Sequence, residues 1–494
     1  MDNMNIVMTI IFLFTFIPLV IAEIARKKSK TTAGDFFLCE RKLSLPLVFA
    51  TVYATWVSSF AVIGASSMFY ENGPVYMTCF AWNILFGLLF MILGERISFI
   101  GQKNDLMTPS DFFYYIFDEK KLGTLVTIIL TGFTIPYIMI QLFGGAIIIE
   151  TVTNGLIPWR MSGFIFYMVI IIYLWSGGLR AVAMTDMFYG ALTFITMIAT
   201  GIILIEKVGG TTVAFKEIYK SDPYFLTLAG EGGIEDVTMW ITMFLIVPCG
   251  AIMGPAMWIR MYAVGERKTF KIIPFLLGIV TIMYVGTVLY SVSAKLLIPD
   301  VIPNDKLIPN LLMQVTNPVT AALLMCGITA ASLSTANSQI HALSQILTFD
   351  IYRKTVSKHR ENLSEHRLLS VGKWSIIVVS ALAYLLMIYG SVHIIEIGMV
   401  SMGGVAQIIV PVIGVLCWHR SNKNAAFYGL LAGEILVCVG TVLSIENVVY
   451  VATAALILNS AVFIIFSLIS KTDKGSSEKI KAYKKEYSCY IKDT

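Results

Sequence analysis

The chain has 494 residues, of which 57% are apolar and 14% charged, with a formal net charge of +5 and a mean hydropathy of +0.78. Soluble domains run at roughly 45 to 50% apolar and about 25% charged, so a soluble enzyme, a nucleic-acid binder and a disordered scaffold are excluded. The apolar segments are continuous rather than alternating, which excludes a β-barrel and leaves an all-α polytopic membrane protein.

The first apolar run, residues 4–24, has no basic residue before it and is followed by Ala25-Arg26-Lys27-Lys28-Ser29-Lys30. A cleaved signal carries its charge in front, so this run reads as a retained helix with its N-terminus outside. Further apolar segments fall at 45–71, 75–97, 122–150, 160–176, 181–206, 237–262, 272–297, 317–349, 368–390, 393–418, 425–444 and 447–470, giving about thirteen spans. With the N-terminus outside, the outer segments hold only Arg160, Lys207, Lys216, Lys220, Lys295 and Lys306. The other Arg and Lys residues, Lys373 apart, fall on the cytoplasmic side, as the positive-inside rule requires. Arg260 is one of these topology charges. The basic stretch 471–494 reads as a topology signal or a solvated end near anionic lipid, with no nucleic acid implied. The outer connection 207–236, rich in glycine, is expected to pack over a cavity. Nothing on the cytoplasmic side is long enough for a nucleotide-driven engine, which leaves an ion gradient as the energy source. The seven cysteines, at 39, 79, 249, 326, 417, 438 and 489, lack paired spacing and read as packing residues. The five histidines form no metal-ligand spacing.

Polar residues inside apolar helices carry the chemistry, because an unsatisfied polar group in hydrocarbon costs several kcal/mol. The richest run is 327–339, where Ala331, Ser334, Thr335 and Ser338 share one helical face. Hydroxyls one turn apart suit a hard cation such as Na⁺; the bland alternative is small-residue helix packing. The second segment, Ala50-Thr51-Val52-Tyr53-Ala54-Thr55-Trp56-Val57-Ser58-Ser59, has the composition of a discontinuous helix whose freed carbonyls coordinate ions. A similar interruption stands at Pro248-Cys249-Gly250 and Gly254-Pro255, so the two mark either the halves of an inverted repeat or unrelated kinks. Asp186 is an intramembrane acid, functional by default or else a helix cap or a partner for Arg180. Glu150 and Lys295 sit near helix ends and are expected to snorkel. Glu396, Glu434 and Lys373 lie deeper without an assigned role.

Gly177-Gly178-Leu179-Arg180-Ala181-Val182-x-x-Thr185-Asp186, with Ala331-x-x-Ser334-Thr335-x-x-Ser338 and Asp350-Ile351-Tyr352, resembles the signatures of the sodium:solute symporter family. Ile135-Pro136-Tyr137-x-x-x-Gln141-Leu142-x-Gly144 and Ala406-Gln407-x-x-x-Pro411-x-x-Gly414-x-x-x-Trp418 extend the resemblance to nearly the whole chain, 4–470. The resemblance implies thirteen helices around a leucine-transporter-like core of five plus five inverted helices. The implied parts are an extra helix and loop (1–44), a first core repeat (45–206), the external loop (207–236), an inverted second repeat (237–418), two further helices (419–470) and the basic tail (471–494).

It also implies a Na⁺ site made of the main-chain carbonyls of Ala54, Val57 and Ala331 with the hydroxyls of Ser334 and Thr335. Asp186 would lie on the sodium path, or with Asn337 and Ser338 serve a second sodium site; Asn337 stands where members with that site carry serine. The proline branch has an aspartate at or beside Trp56, and its absence here turns the expectation toward the pantothenate and monocarboxylate branch. The expected activity is symport of a small organic anion with Na⁺ by alternating access in the plasma membrane. No cofactor or obligate protein partner is expected beyond the coupling ion, the solute and the bilayer. Ser58, Ser59, Asn83, Tyr137, Gln141 and Gln407 are the candidate solute contacts, and no buried arginine stands out to meet a carboxylate. The alternatives are symport of a neutral or zwitterionic solute such as an amino acid or sugar, a non-transporting sensor, and a channel. An enzyme is the least favoured, since no nucleophile and base assemble.

Overall fold

The computed structural model describes residues 3–492 apart from 31, 74–76, 229–232, 299–304, 357–362, 391–392, 444–447 and 471–473. Helices α1 (Asn3–Lys27), α2 (Leu45–Trp56), α3 (Phe60–Asn72), α4 (Thr78–Lys103), α5 (Pro109–Phe117) and α6 (Lys120–Val152) come first. They are followed by α7 (Trp159–Lys207), α8 (Thr211–Ser221), α9 (Ile234–Met253), α10 (Pro255–Ala263) and α11 (Lys268–Leu297). The chain then continues through α12 (Pro318–Lys354), α13 (Glu365–Tyr389), α14 (Ile394–Cys417), α15 (Lys423–Val442), α16 (Tyr450–Ile469) and α17 (Lys474–Lys492).

Among the described residues eleven helices are long and apolar enough to cross a bilayer, or twelve with α2 and α3 as one bent span. One of the eleven, α7, is too long for a single crossing: 49 residues would extend roughly 74 Å, more than twice a hydrocarbon core of about 30 Å. It is broken at Gly178, whose φ of 53° and ψ of −145° leave the helical region. Only glycine adopts that backbone without strain, and a β-carbon there would strike the carbonyl oxygen of Phe36. Its two limbs therefore count as two spans, giving thirteen crossings among the described residues.

Two spans are interrupted. α2 and α3 meet at 56°, with Val57 extended between them at φ −83° and ψ 104°. The second break is narrower than the sequence reading: Pro248 stays inside α9, and the helix stops at Gly254, with ψ 146°. Pro255 explains the difference, because proline drives the residue before it out of the helical region and then opens the next helix at its first position.

The basic stretch is not a solvated end where it is described. α17 docks on the basic face through Ile480 and Tyr483, which are buried. Phe99 of α4 receives the rings of Tyr483, Tyr487 and Tyr490 at 6.2, 5.5 and 4.9 Å. Lys103 pairs with Glu486 at 2.6 Å, and Lys479 and Lys484 donate to the main-chain oxygens of Tyr115 and Cys417. At the opposite end α8 and Phe225 belong to the expected external loop. Phe225 packs on Phe69 at 6.2 Å, and beside them lies an apolar cavity also lined by Met77, Trp240 and Val288.

Charges near helix ends have partners. Glu150 pairs with Lys306 at 2.7 Å, and the Lys295 ammonium lies 5.2 Å from the rings of both Tyr70 and Phe225. Four cysteines are buried as packing residues, whereas Cys417, Cys438 and Cys489 are exposed.

Candidate ion and solute site

The break after Trp56 sets up the site. The last carbonyls of a helix have no amide ahead of them in their own ladder, and here α12 supplies hydroxyls instead. Ser334 Oγ donates to the carbonyl oxygens of Ala54 at 2.8 Å and of its own-helix Ala331 at 3.1 Å. Thr335 Oγ1 donates toward those of Thr55 at 3.1 Å and Val57 at 3.4 Å. The oxygens of Ala54, Val57, Ala331, Ser334 and Thr335 thus converge, and Thr55 adds a sixth that sequence reasoning did not name. All five side chains of that set are buried. Neutral oxygens alone, without thiol or imidazole, are the donor set of a hard monovalent cation.

One helical turn toward the basic end lies a second cluster. Thr51 Oγ1 donates to Asp186 Oδ2 at 2.6 Å, and Ser338 Oγ lies 3.4 Å from the same oxygen and 3.1 Å from Asn337 Oδ1. Arg180, the alternative partner for Asp186, instead pairs with Asp35 at 2.8 Å. The partner Asp186 does have is Arg260, with Nη2 at 3.6 Å from Oδ2 and both side chains fully buried. Sequence reasoning counted Arg260 only as a topology charge. The signal was available, since a charge six residues past Gly254 within Ala256-Met257-Trp258-Ile259-Arg260-Met261-Tyr262-Ala263 is an intramembrane charge.

The candidate solute contacts separate into groups. Ser59 donates through Oγ and its main-chain N–H to Gln141 Oε1 at 2.7 and 2.9 Å, so these two satisfy each other. Asn83 accepts from Trp56 Nε1 at 2.5 Å and donates to the Cys79 carbonyl, which helps fix the Trp56 ring stacked 4.3 Å from Phe86. Tyr137 donates to Ser58 at 3.0 Å. Tyr137 also lines a cavity beside both helix breaks, together with Thr55, Trp56, Thr134, Gly254, Gln339 and Ser401. Gln339 Oε1 and Ser401 Oγ, buried there, have no hydrogen-bond partner among the described residues. Gln407 lies apart: it donates to the carbonyls of Gly403 and Ala452 and receives Asn459, joining α14 to α16.

Residues 36–433 match the model of the sodium:solute symporter family. The chain belongs to that family. Over 438 residues the symporter is 23% identical to the sodium/pantothenate symporter of Haemophilus influenzae, covering 87% of this chain and 89% of that one. It is 24% identical to the sodium/pantothenate symporter of Escherichia coli, covering 85% and 87%. The osmoregulated proline transporter OpuE of Bacillus subtilis is 23% identical, covering 92% and 93%. Among solved structures, a Na⁺-coupled sialic acid symporter in a substrate-bound outward-open state superposes with a TM-score of 0.79 at 17% identity, covering 95% and 98%. MhsT in complex with L-phenylalanine superposes at 0.56 with 14% identity, covering 86% and 98%. These likenesses establish the leucine-transporter-like fold.

Proposed function

We propose that this symporter imports a small organic anion, of the pantothenate or monocarboxylate kind, together with Na⁺. The observation that carries the reading is the convergence of the Ala54, Val57 and Ala331 carbonyls on Ser334 and Thr335, because it ties an interrupted helix to α12 through oxygens that a cation would share. Na⁺ entering from the side opposite the basic face would bridge α2 to α12 and favour the state open to that side. The solute would then occupy the adjoining cavity against Trp56, Tyr137 and the Gly254 break. Coupling arises because the ion binds the two states with different affinity. On the other side, taken as the cytoplasm, low Na⁺ and a membrane potential worth about 2.3 kcal/mol per charge per 100 mV favour release.

The sodium/pantothenate symporters among the relatives support the choice of anion. The side chains named on the cavity wall are Thr, Trp, Tyr, Gln and Ser, all uncharged. Dipoles at a broken helix can hold a carboxylate without arginine. The same uncharged wall favours, as a second reading, a neutral or zwitterionic solute. Proteoliposomes with an inward Na⁺ gradient distinguish the two: labelled pantothenate and short monocarboxylates should accumulate, and proline and glucose should not. Uptake of every solute that is indifferent to Na⁺ would overturn the symport reading.

A further inference from the structure

Opposite the basic face, the apolar cavity beside Phe225 measures about 540 Å³, within the size range of small-ligand pockets. Three spans line it: α3 through Phe69, α9 through Trp240, and α11 through Val288 and Val292. Phe215 of α8 and Phe225, Leu226 and Leu228 after it complete the wall, and none of the lining side chains is charged. Phe225 is held in place from two directions. Its amide donates to Asp222 Oδ1 at 3.0 Å, and its carbonyl oxygen lies so close to Gly73 that a β-carbon there would strike it.

The cavity has one charge at its edge. On α11, Val288, Val292 and Lys295 stand at i, i+4 and i+7 and so share a helical face. Because α11 runs away from the basic face, Lys295 lies about 10 Å nearer the far surface than Val288. Its ammonium rests 5.2 Å from the rings of Tyr70 and Phe225. Those rings attract a cation without neutralising it, and no carboxylate pairs with Lys295 among the described residues. The same stretch of chain leaves Tyr219, Tyr224, Leu228 and Ile234 exposed. Large apolar side chains at the end of a span belong against lipid rather than water. The cavity is therefore apolar toward the bilayer centre, cationic toward the surface and rimmed by residues suited to lipid.

We propose that this cavity is a binding site for an anionic phospholipid of the leaflet opposite the basic face, with one acyl chain inside and the phosphate on Lys295. Depth and polarity match such a molecule end to end, since its chain points to the bilayer centre and its anion stays at the surface. A neutral headgroup would leave the ammonium without a net counter-charge. The seated chain would touch α3 and α9, the halves of the two interrupted helices on this side, so lipid charge would act directly on the helices that break. This site is separate from the five-oxygen set and does not depend on the sodium reading.

The test uses the full chain in phosphatidylcholine vesicles that contain a fixed fraction of lipid with brominated acyl chains, either phosphatidylglycerol or phosphatidylcholine. Bromine quenches tryptophan on contact, and subtracting the signal of Trp240→Phe isolates Trp240 in the cavity wall. Trp240 should be quenched by both lipids, with phosphatidylglycerol preferred about five-fold, the contribution of one lysine facing an anionic surface. Lys295→Gln should bring that preference close to one while leaving the thermal midpoint in phosphatidylcholine near wild type. Val292→Phe fills the cavity and should protect Trp240 from both lipids; if it fails to fold, Lys295→Gln still decides. Trp240 untouched by either brominated lipid would overturn the site. Equal quenching by the two lipids, in wild type and in Lys295→Gln alike, would overturn the anionic assignment. Quenching relieved by decanoate without any headgroup preference would give the cavity to a free fatty acid and overturn the phospholipid.

Discussion

The Ser334 hydroxyl on α12 donates to the main-chain oxygen of Ala54 at the end of α2, at 2.8 Å and across 280 residues of chain. No local preference of either helix creates that contact. It exists because α2 stops at Trp56 and leaves its carbonyls to be satisfied from outside.

Replacing Ser334→Ala together with Thr335→Ala removes two of the five oxygens while leaving the helix packed, since alanine suits a helix interior. The Na⁺ concentration for half-maximal uptake should rise about ten-fold or more, as expected for losing hydrogen-bond-strength interactions with a charge. Insertion should stay near wild type, while the thermal midpoint without Na⁺ should fall modestly, because the Ala54, Thr55 and Val57 carbonyls lose their hydroxyl donors. Half-saturation unchanged in Na⁺-dependent uptake would remove these hydroxyls from the site.

Gly178→Ala tests the fold of α7. A β-carbon would be forced into a left-handed backbone and against the Phe36 carbonyl, at a cost on the order of 1–3 kcal/mol. The thermal midpoint in detergent should drop by several degrees, and a midpoint equal to wild type would mean that the turn does not depend on glycine.

Gln407→Ala separates packing from solute binding. The side chain links Gly403, Ala452 and Asn459, so truncation should cost about 1–3 kcal/mol through the unpaired groups left behind. The solute concentration for half-maximal uptake should be unchanged. By contrast Gln339→Ala, in the cavity wall, should raise it with little loss of stability. The reverse pattern in the uptake kinetics would return Gln407 to the site.

Burial pushes the Asp305 carboxyl up to about 6 from an ordinary value of 3.8, against the Ile394 amide and the nearby His393 charge, with Glu396 adding repulsion. The folded chain then holds a proton that the unfolded chain has released, so stability falls as pH rises from about 4 to about 6 and stays lower above that. Asp305→Asn should raise the thermal midpoint at pH 7 and leave it unchanged at pH 4. An equal gain at both values would show that ionisation of Asp305 is not the cause.

Much of this was legible in the residues. Helix positions follow apolar run lengths, and the breaks follow small polar residues at Val57-Ser58-Ser59 and Gly254-Pro255. The shared face of Ala331, Ser334 and Thr335 is a matter of helical period alone. What was not legible depends on which helices meet. Arg260 reads as a topology charge because counting charges by side ignores depth. Gln407 and Gln141 look alike in sequence, and only tertiary packing decides that one binds Asn459 and the other Ser59. Tyr483, Tyr487 and Tyr490 lie on one face of a basic stretch, yet the surface that receives them, Phe99, lies almost 400 positions earlier in the chain.

That last helix has a practical use. Cys489 is exposed on α17, and the same helix is moored to α4 through Phe99 and Glu486 and touches Arg267 through the Tyr490 carbonyl at 3.4 Å. A dye attached at Cys489 would ride on a rigid strut joined to the transport core, so its emission or its distance to a second dye reports the motion of that core instead of the wandering of a loose tether.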